Sequence, residues 1–146
     1  MFLSGEELVG HCEDLIHAET QKSDFGLDLT VRKISRVETV GALDFGGSEE
    51  RQPDLSLVKP TKRSSDDEYG WWDLEAGTYI IHYNESLHLD NEIGFVLPLP
   101  RLVRAGASHL PVVFRSELVV TPILHVGSSG LEIKENARTS QLLAWR

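Results

Sequence analysis

A chain of 146 residues, 40% hydrophobic and 25% charged, has the size and composition of one globular domain, residues 1–146, and is excluded from the disordered and fibrous classes. Its formal charge of −9 repels a phosphate backbone, so nucleic acid is not expected as a partner, whereas a small anion needs only a local basic site. With one cysteine (Cys12), no leader pattern in "MFLSGEELVG" and no apolar run near the roughly 20 residues of a membrane helix, a cytoplasmic protein away from membranes is expected.

Ser4 opens the first predicted element. Its hydroxyl can cap a helical turn while Glu7, three residues on, reaches back to the Ser4 amide. Leu8, Cys12, Leu15 and Ile16 then fall on one face at helical spacing, which predicts a short helix ending near His17 to Glu19. Glu7, His11 and Asp14 flank that stripe three or four residues apart. Zinc needs several donors converging on one point, and these read as surface polar residues, so no metal site is predicted.

Beyond the helix the period changes to two. "LDLTVRKISRVETV" alternates Leu27, Leu29 and Val31 with Asp28, Thr30 and Arg32, the pattern of a half-buried strand. Gly46 to Tyr69 is rich in Ser, Asp, Glu, Lys, Pro and Gly, predicting a long loop or loose hairpin with a short strand at Leu55 to Val58. Asp66, Asp67 and Glu68 read as a solvated acidic loop leading into the next strand. Trp71 and Trp72 are adjacent, so in a strand they face opposite ways, one into the core and one under a loop or another subunit.

From Gly70 the chain is a succession of short strands: "WWDL", "TYIIHYNESLHL", "GFVLPL", "PVVFRSELVV", "PILHV", "LEIKE" and "SQLLAW". Closely spaced strands after one small helix predict an all-β antiparallel sandwich or barrel. No serine sits in a G-x-S-x-G turn, Cys12 lies on the apolar helix face, and no phosphate-loop or dinucleotide fingerprint occurs. The residues alone therefore reach a β domain and no reaction.

Taken in order, several segments resemble the trimeric dUTPase and dCTP deaminase superfamily, in particular its archaeal-type members. "QKSDFGLDLTV" (Gln21 to Val31) is similar to the family's early Gln followed by Gly/Ser-x-Asp-Leu and a strand. "LEAGTYIIHYNESLHLDNEIGFVLP" resembles its Gly-x-Tyr, apolar strand, Glu-x-apolar-x-apolar and Gly-apolar segment. "PLPRLVRAGA" stands where the family has Ser-Ser-Leu-x-Arg, and "GLEIKENARTSQLLAW" resembles its closing pair of strands with an internal Gln. The likeness spans most of the chain.

The resemblance implies a distorted jelly roll (a β-clip) with one short N-terminal helix, assembled as a homotrimer with nucleotide sites between subunits. It implies Mg2+ only where a nucleoside triphosphate is bound, and otherwise no cofactor. Arg104 matches the family's phosphate-turn Arg and Gln141 its closing Gln. The two serines fall on Pro100, which offers neither hydroxyl nor N–H, and Arg101, whose guanidinium grips an oxyanion with different reach. Arg101, Arg104 and Gln141 are thus the expected phosphate- and nucleotide-binding residues.

The family's pyrimidine hairpin, Asp-x-Gly-aromatic-x-Gly, should lie between Val113 and Val120. "VVFRSELVV" puts Arg115 or Ser116 at the aspartate position and lacks the glycine that follows. His125 stands where deaminases carry a proton-transferring glutamate, and Glu117 is a nearby carboxylate; these two are the catalytic candidates. Relatives usually continue beyond the last strand into an arm that closes over nucleotide, and such an arm is not expected here. The expectation is a dUTPase- or dCTP deaminase-like protein of pyrimidine deoxynucleotide metabolism, catalytically degenerate and serving as a nucleotide-binding or interaction paralogue. The alternative is an active dUTP diphosphatase or dCTP deaminase with rearranged residues.

Overall fold

The capping box at Ser4 forms as its residues dictate in a computed structural model of the chain, which describes residues 1–116 and 120–146. The Ser4 hydroxyl accepts the Glu7 amide at 3.1 Å and the Glu7 carboxylate accepts the Ser4 amide at 2.8 Å. Helix α1 (Gly5–Gly10) nevertheless ends well short of His17. Gly10 is a weak helix former, Asp14 adopts a left-handed backbone with φ of 63°, and Cys12–Glu13 leaves as strand β1 to pair with Ser86–Leu87. The apolar stripe is therefore broken: Leu8 is buried, while Ile16 is exposed. A second helical turn, α2 (Ala18–Gln21), follows, its first amides capped by the His17 ring, whose Nδ1 accepts the Thr20 amide at 3.2 Å.

Strand β2 (Leu27–Val37) follows the predicted alternation, with Leu27, Leu29, Val31 and Ile34 fully buried. After it come β3 (Leu55–Val58), β4 (Trp71–Leu74), β5 (Gly77–Tyr83), β6 (Ser86–Leu87) and β7 (Ile93–Pro98). A short helix, α3 (Pro100–Arg104), interrupts the strands before β8 (Ala107–His109), β9 (Val112–Phe114), β10 (Ile123–Val126), β11 (Leu131–Lys134) and β12 (Arg138–Trp145). The protein is all-β, as expected, with three short helical segments among the described residues in place of one.

Hydrogen-bonded strands run in the order β8-β10-β5-β2-β12-β7-β9, with β3 also on β2, and β1-β6 and β11-β4 form two small pairs. Every named pairing is antiparallel. The first half of β2 pairs with β12 and its second half with β5 and β3, with register shifts between Val31 and Lys33 and between Arg138 and Ser140. Such bulges bend a strand from one sheet into the next, so β2 is the corner of a sandwich. Between the layers lie Trp72, Tyr79, Ile81, Leu124 and Leu142, each at most 1% exposed. Trp72 takes the core face of β4, and Trp71 on the other face lies under the Arg63 guanidinium, 3.6 Å from its ring centroid.

Candidate functional site

Helix α3 is shaped by its first two residues. Pro100 occupies the first helical position, where a missing N–H costs nothing, and the Leu99 amide ties the turn to the start of β12 through the Thr139 carbonyl at 2.9 Å. Leu102 points into the core, and Gly106, with φ of 101°, ends the turn in a conformation other residues resist. This leaves Arg101 and Arg104 on the exposed side, and neither forms an ion pair among the described residues.

Strand β12 supplies the wall behind them. Gln141 is the cross-strand partner of Asp28 on β2 and of Leu97 on β7. Its side chain lies over Gly26: a Cβ there would sit 2.4 Å from Gln141 Nε2, so the glycine is what lets the amide lie flat on the sheet. Three residues before Gln141, Arg138 donates to the Asp28 carboxylate at 3.0 Å. Burial holds the Asp28 carboxyl above its ordinary range, opposed first by the Arg138 hydrogen bond and charge and then by the charge of Arg101. Arg101 and Arg138 thus act on one half-buried carboxylate, and Gln141 is the cross-strand partner of the residue that bears it.

On the other side of α3 a cavity of about 260 Å3 opens between the helix and the β4–β11 pair. Arg101, Leu102, Arg138, Lys134 and Trp71 line it, whereas Arg104 and Gln141 do not. His125 is exposed on β10 opposite Thr78 and Ser108, and it lines a different cavity with Leu110, Val112 and Pro122. The two cavities share no residue, so His125 and Arg101 line separate sites within one chain. Glu117 lies outside the described residues. Ser116, a candidate for the aspartate position, has φ of 53° and its hydroxyl donates to the Asp90 carbonyl at 3.3 Å.

Among the described residues no group of three or more His, Cys, Asp and Glu converges to hold a metal ion. Glu7 is occupied by the helix cap and His11 donates from Nδ1 to the His88 carbonyl at 2.8 Å. Beside α3 the Asp28 carboxylate is already bound by Arg138, so Mg2+ would be held here chiefly by a ligand's own phosphates, the usual mode for that ion. The early Gln21 is structural: buried, it donates to the Asp28 carbonyl at 2.9 Å and accepts the His17 amide at 2.8 Å.

Sequence reasoning missed Asp28, Arg138 and Lys134 as members of this neighbourhood. Asp28 reads as the solvent side of an alternating strand, and its partner lies 110 residues away. The available signals were the Gly/Ser-x-Asp-Leu resemblance, whose Asp is Asp28, and the outward positions of "LEIKENAR", which place Lys134 and Arg138 on an exposed edge of the closing strands.

No protein-family model matches the chain. It is 34% identical to a probable deoxyuridine 5'-triphosphate nucleotidohydrolase of Methanosarcina acetivorans over 138 residues, covering 90% of this chain and 75% of that protein. A protein of the same description from Archaeoglobus fulgidus is 30% identical over 154 residues, covering 97% and 85% respectively. Among solved structures, a 2'-deoxycytidine 5'-triphosphate deaminase from Agrobacterium tumefaciens superposes with a TM-score of 0.69 over 98% of this chain at 14% identity. This chain spans 46% of that deaminase's length, and at such low identity the likeness concerns the fold.

Proposed function

The chain belongs to the dUTPase and dCTP deaminase superfamily, and on that premise we propose that it serves pyrimidine deoxynucleotide metabolism as a nucleotide-binding member that does not turn its ligand over. The state of α3 carries this reading: Pro100 has replaced a hydroxyl and an amide donor, while Arg101 and Arg104 stand exposed and form no ion pair among the described residues. Two guanidiniums at one turn still attract phosphate oxygens. Hydrolysis also needs a base to activate water, and the carboxylate at this site, Asp28, is engaged by Arg138.

In this reading copies of the chain assemble as a homotrimer, the site lies between copies, and Mg2+ accompanies a bound triphosphate. Assembly is what would bring the His125 face of one copy toward α3 of another. The protein acts in the cytoplasm; no helix among the described residues is long and apolar enough to cross a membrane. One observation favours the alternative of an active enzyme. Asp28, held above the ordinary carboxyl range by burial beside Arg101, is a group able to exchange a proton.

Calorimetric titration with a non-hydrolysable dUTP analogue and Mg2+, with dCTP for comparison, tests the reading. Micromolar binding at one site per chain, with no pyrophosphate released from dUTP and no ammonia from dCTP, is expected. Release of either product, abolished by Arg104→Ala, would replace it with the active-enzyme alternative; absence of binding to both nucleotides would remove the nucleotide function altogether.

A further inference from the structure

We propose that the cavity between α3 and the β4–β11 pair is an anion pocket that takes a phosphate or diphosphate group, with Lys134 and Arg101 as its ligands. This rests on the nucleotide reading only for one source of that group, a nucleotide's phosphate tail; free pyrophosphate is the other.

Charge accounting inside the cavity carries the inference. The chain is acidic overall, at −9, yet the cavity is lined by three cations, Arg101, Lys134 and Arg138, against Glu132. The Glu132 carboxylate is bound by Arg63 at 2.8 Å, and Arg138 is bound to Asp28 at 3.0 Å. Each of those charges is matched. Arg101 and Lys134 form no ion pair among the described residues, and Asp28, the carboxyl that feels the charge of Arg101, is already paired with Arg138, so the surplus on the wall is positive.

Geometry fixes that surplus in place. Lys134 is the cross-strand partner of Trp71, its ammonium 5.9 Å from the indole centroid, and the same ring is covered by Arg63. Leu102 and Leu131 form a buried apolar floor. Low-dielectric walls strengthen the field that two unmatched cations direct into the space. At about 260 Å3 the cavity falls below the roughly 300–1,000 Å3 of pockets that enclose whole drug-sized ligands. It accommodates a head group, with the remainder of any nucleotide outside. Arg101 belongs to the phosphate turn, so the pocket opens from the β4–β11 side of that turn, and it takes in neither Arg104 nor Gln141.

The test titrates the full chain at low salt with sodium pyrophosphate and, separately, with the non-hydrolysable dUTP analogue. Wild type, Lys134→Gln, Arg104→Gln and, as a charge-matched control outside the cavity, the exposed Lys59→Gln are compared. Pyrophosphate is expected to bind wild type at one site per chain and to lose about tenfold or more in affinity in Lys134→Gln, with Lys59→Gln close to wild type. The analogue losing affinity in parallel identifies a nucleotide tail as the source. Lys134-dependent binding of pyrophosphate without binding of the analogue leaves the pocket standing for the free anion and ends the nucleotide reading. Loss confined to Arg104→Gln places the anion on the turn and overturns the pocket alone. Binding of the analogue without any binding of pyrophosphate also overturns the pocket alone, and binding of neither probe overturns both.

Discussion

At Ser140 the buried side chains of Tyr83 and His109 depend on one hydroxyl. Tyr83 donates its phenol proton to Ser140 Oγ at 2.5 Å, and the serine in turn lies 2.8 Å from His109 Nε2. The other ring nitrogen, Nδ1, faces the Leu110 carbonyl at 2.9 Å. A carbonyl only accepts, so Nδ1 carries the proton, Nε2 accepts from Ser140, and the chain of donors closes without a charge. Burial agrees with that state: it pulls the His109 imidazole below its ordinary range and pushes the Tyr83 phenol up. Ser140→Ala leaves a buried phenol and a buried imidazole nitrogen without their partner. We expect a loss of about 1–3 kcal/mol in unfolding free energy, read from the urea midpoint at unchanged slope. A loss too small to measure would mean that Tyr83 and His109 find other partners. The network is structural: Tyr83, His109 and Ser140 do not line the cavity that Arg101 lines, so its loss should lower stability and leave anion binding intact.

At the scale of elements, β7 and β12 are closed at one end by Glu92 and Arg146. The Glu92 carboxylate, 4% exposed, accepts from Arg146 Nη2 at 2.8 Å and from the amides of Asp90 and Asn91 at 3.1 Å. These bonds, Arg146 first, lower its pKa from 4.5 to about 2. A carboxyl depressed in the folded state stabilises the fold above its unfolded value, and that contribution is lost as pH falls through the folded one. Stability should therefore decline between roughly pH 5 and 2, and Glu92→Gln should make that decline shallower in urea titrations at stepped pH. An unchanged slope would show that the clasp does not form in solution.

What the sequence made legible at this scale was local. The Ser4–Glu7 box and the β2 alternation depend on neighbours within a few residues, and the short strand at Leu55–Val58 reads from its own four residues; each formed as read. The end of α1 was not legible, because Cys12 and Glu13 are drawn away by Leu87 and Ser86, far along the chain. The site divides in the same way. Arg101, Arg104 and Gln141 were placed by motif order, whereas the Asp28–Arg138 pair and the Lys134–Trp71 pair exist only through strand register. His125 shows the limit of motif order: it falls at the right point along the chain, but β10 turns it to another face.

For the whole molecule, the outer face of the β7–β12 sheet bears on assembly. Phe2 lies edge-on to Trp145, with ring centroids 4.9 Å apart, and within 6.5 Å of both Phe25 and Phe95. Phe2, Phe25 and Trp145 are 42%, 57% and 46% exposed, and Val113, the cross-strand partner of Phe95, is 62% exposed. A contiguous aromatic face of this kind is unfavourable in water, and burying it against another copy removes that exposure. The charge of −9 opposes association, so apolar burial has to outweigh repulsion, and added salt should favour assembly by screening it. Sedimentation equilibrium is expected to return about three times the single-chain mass of 16.3 kDa. Trp145→Glu, which places a carboxylate in this face, should shift the mass toward one copy. A wild-type mass of one chain would end the homotrimer proposal together with any site shared between copies. A trimer unaffected by Trp145→Glu would keep the assembly and move its contact to another face.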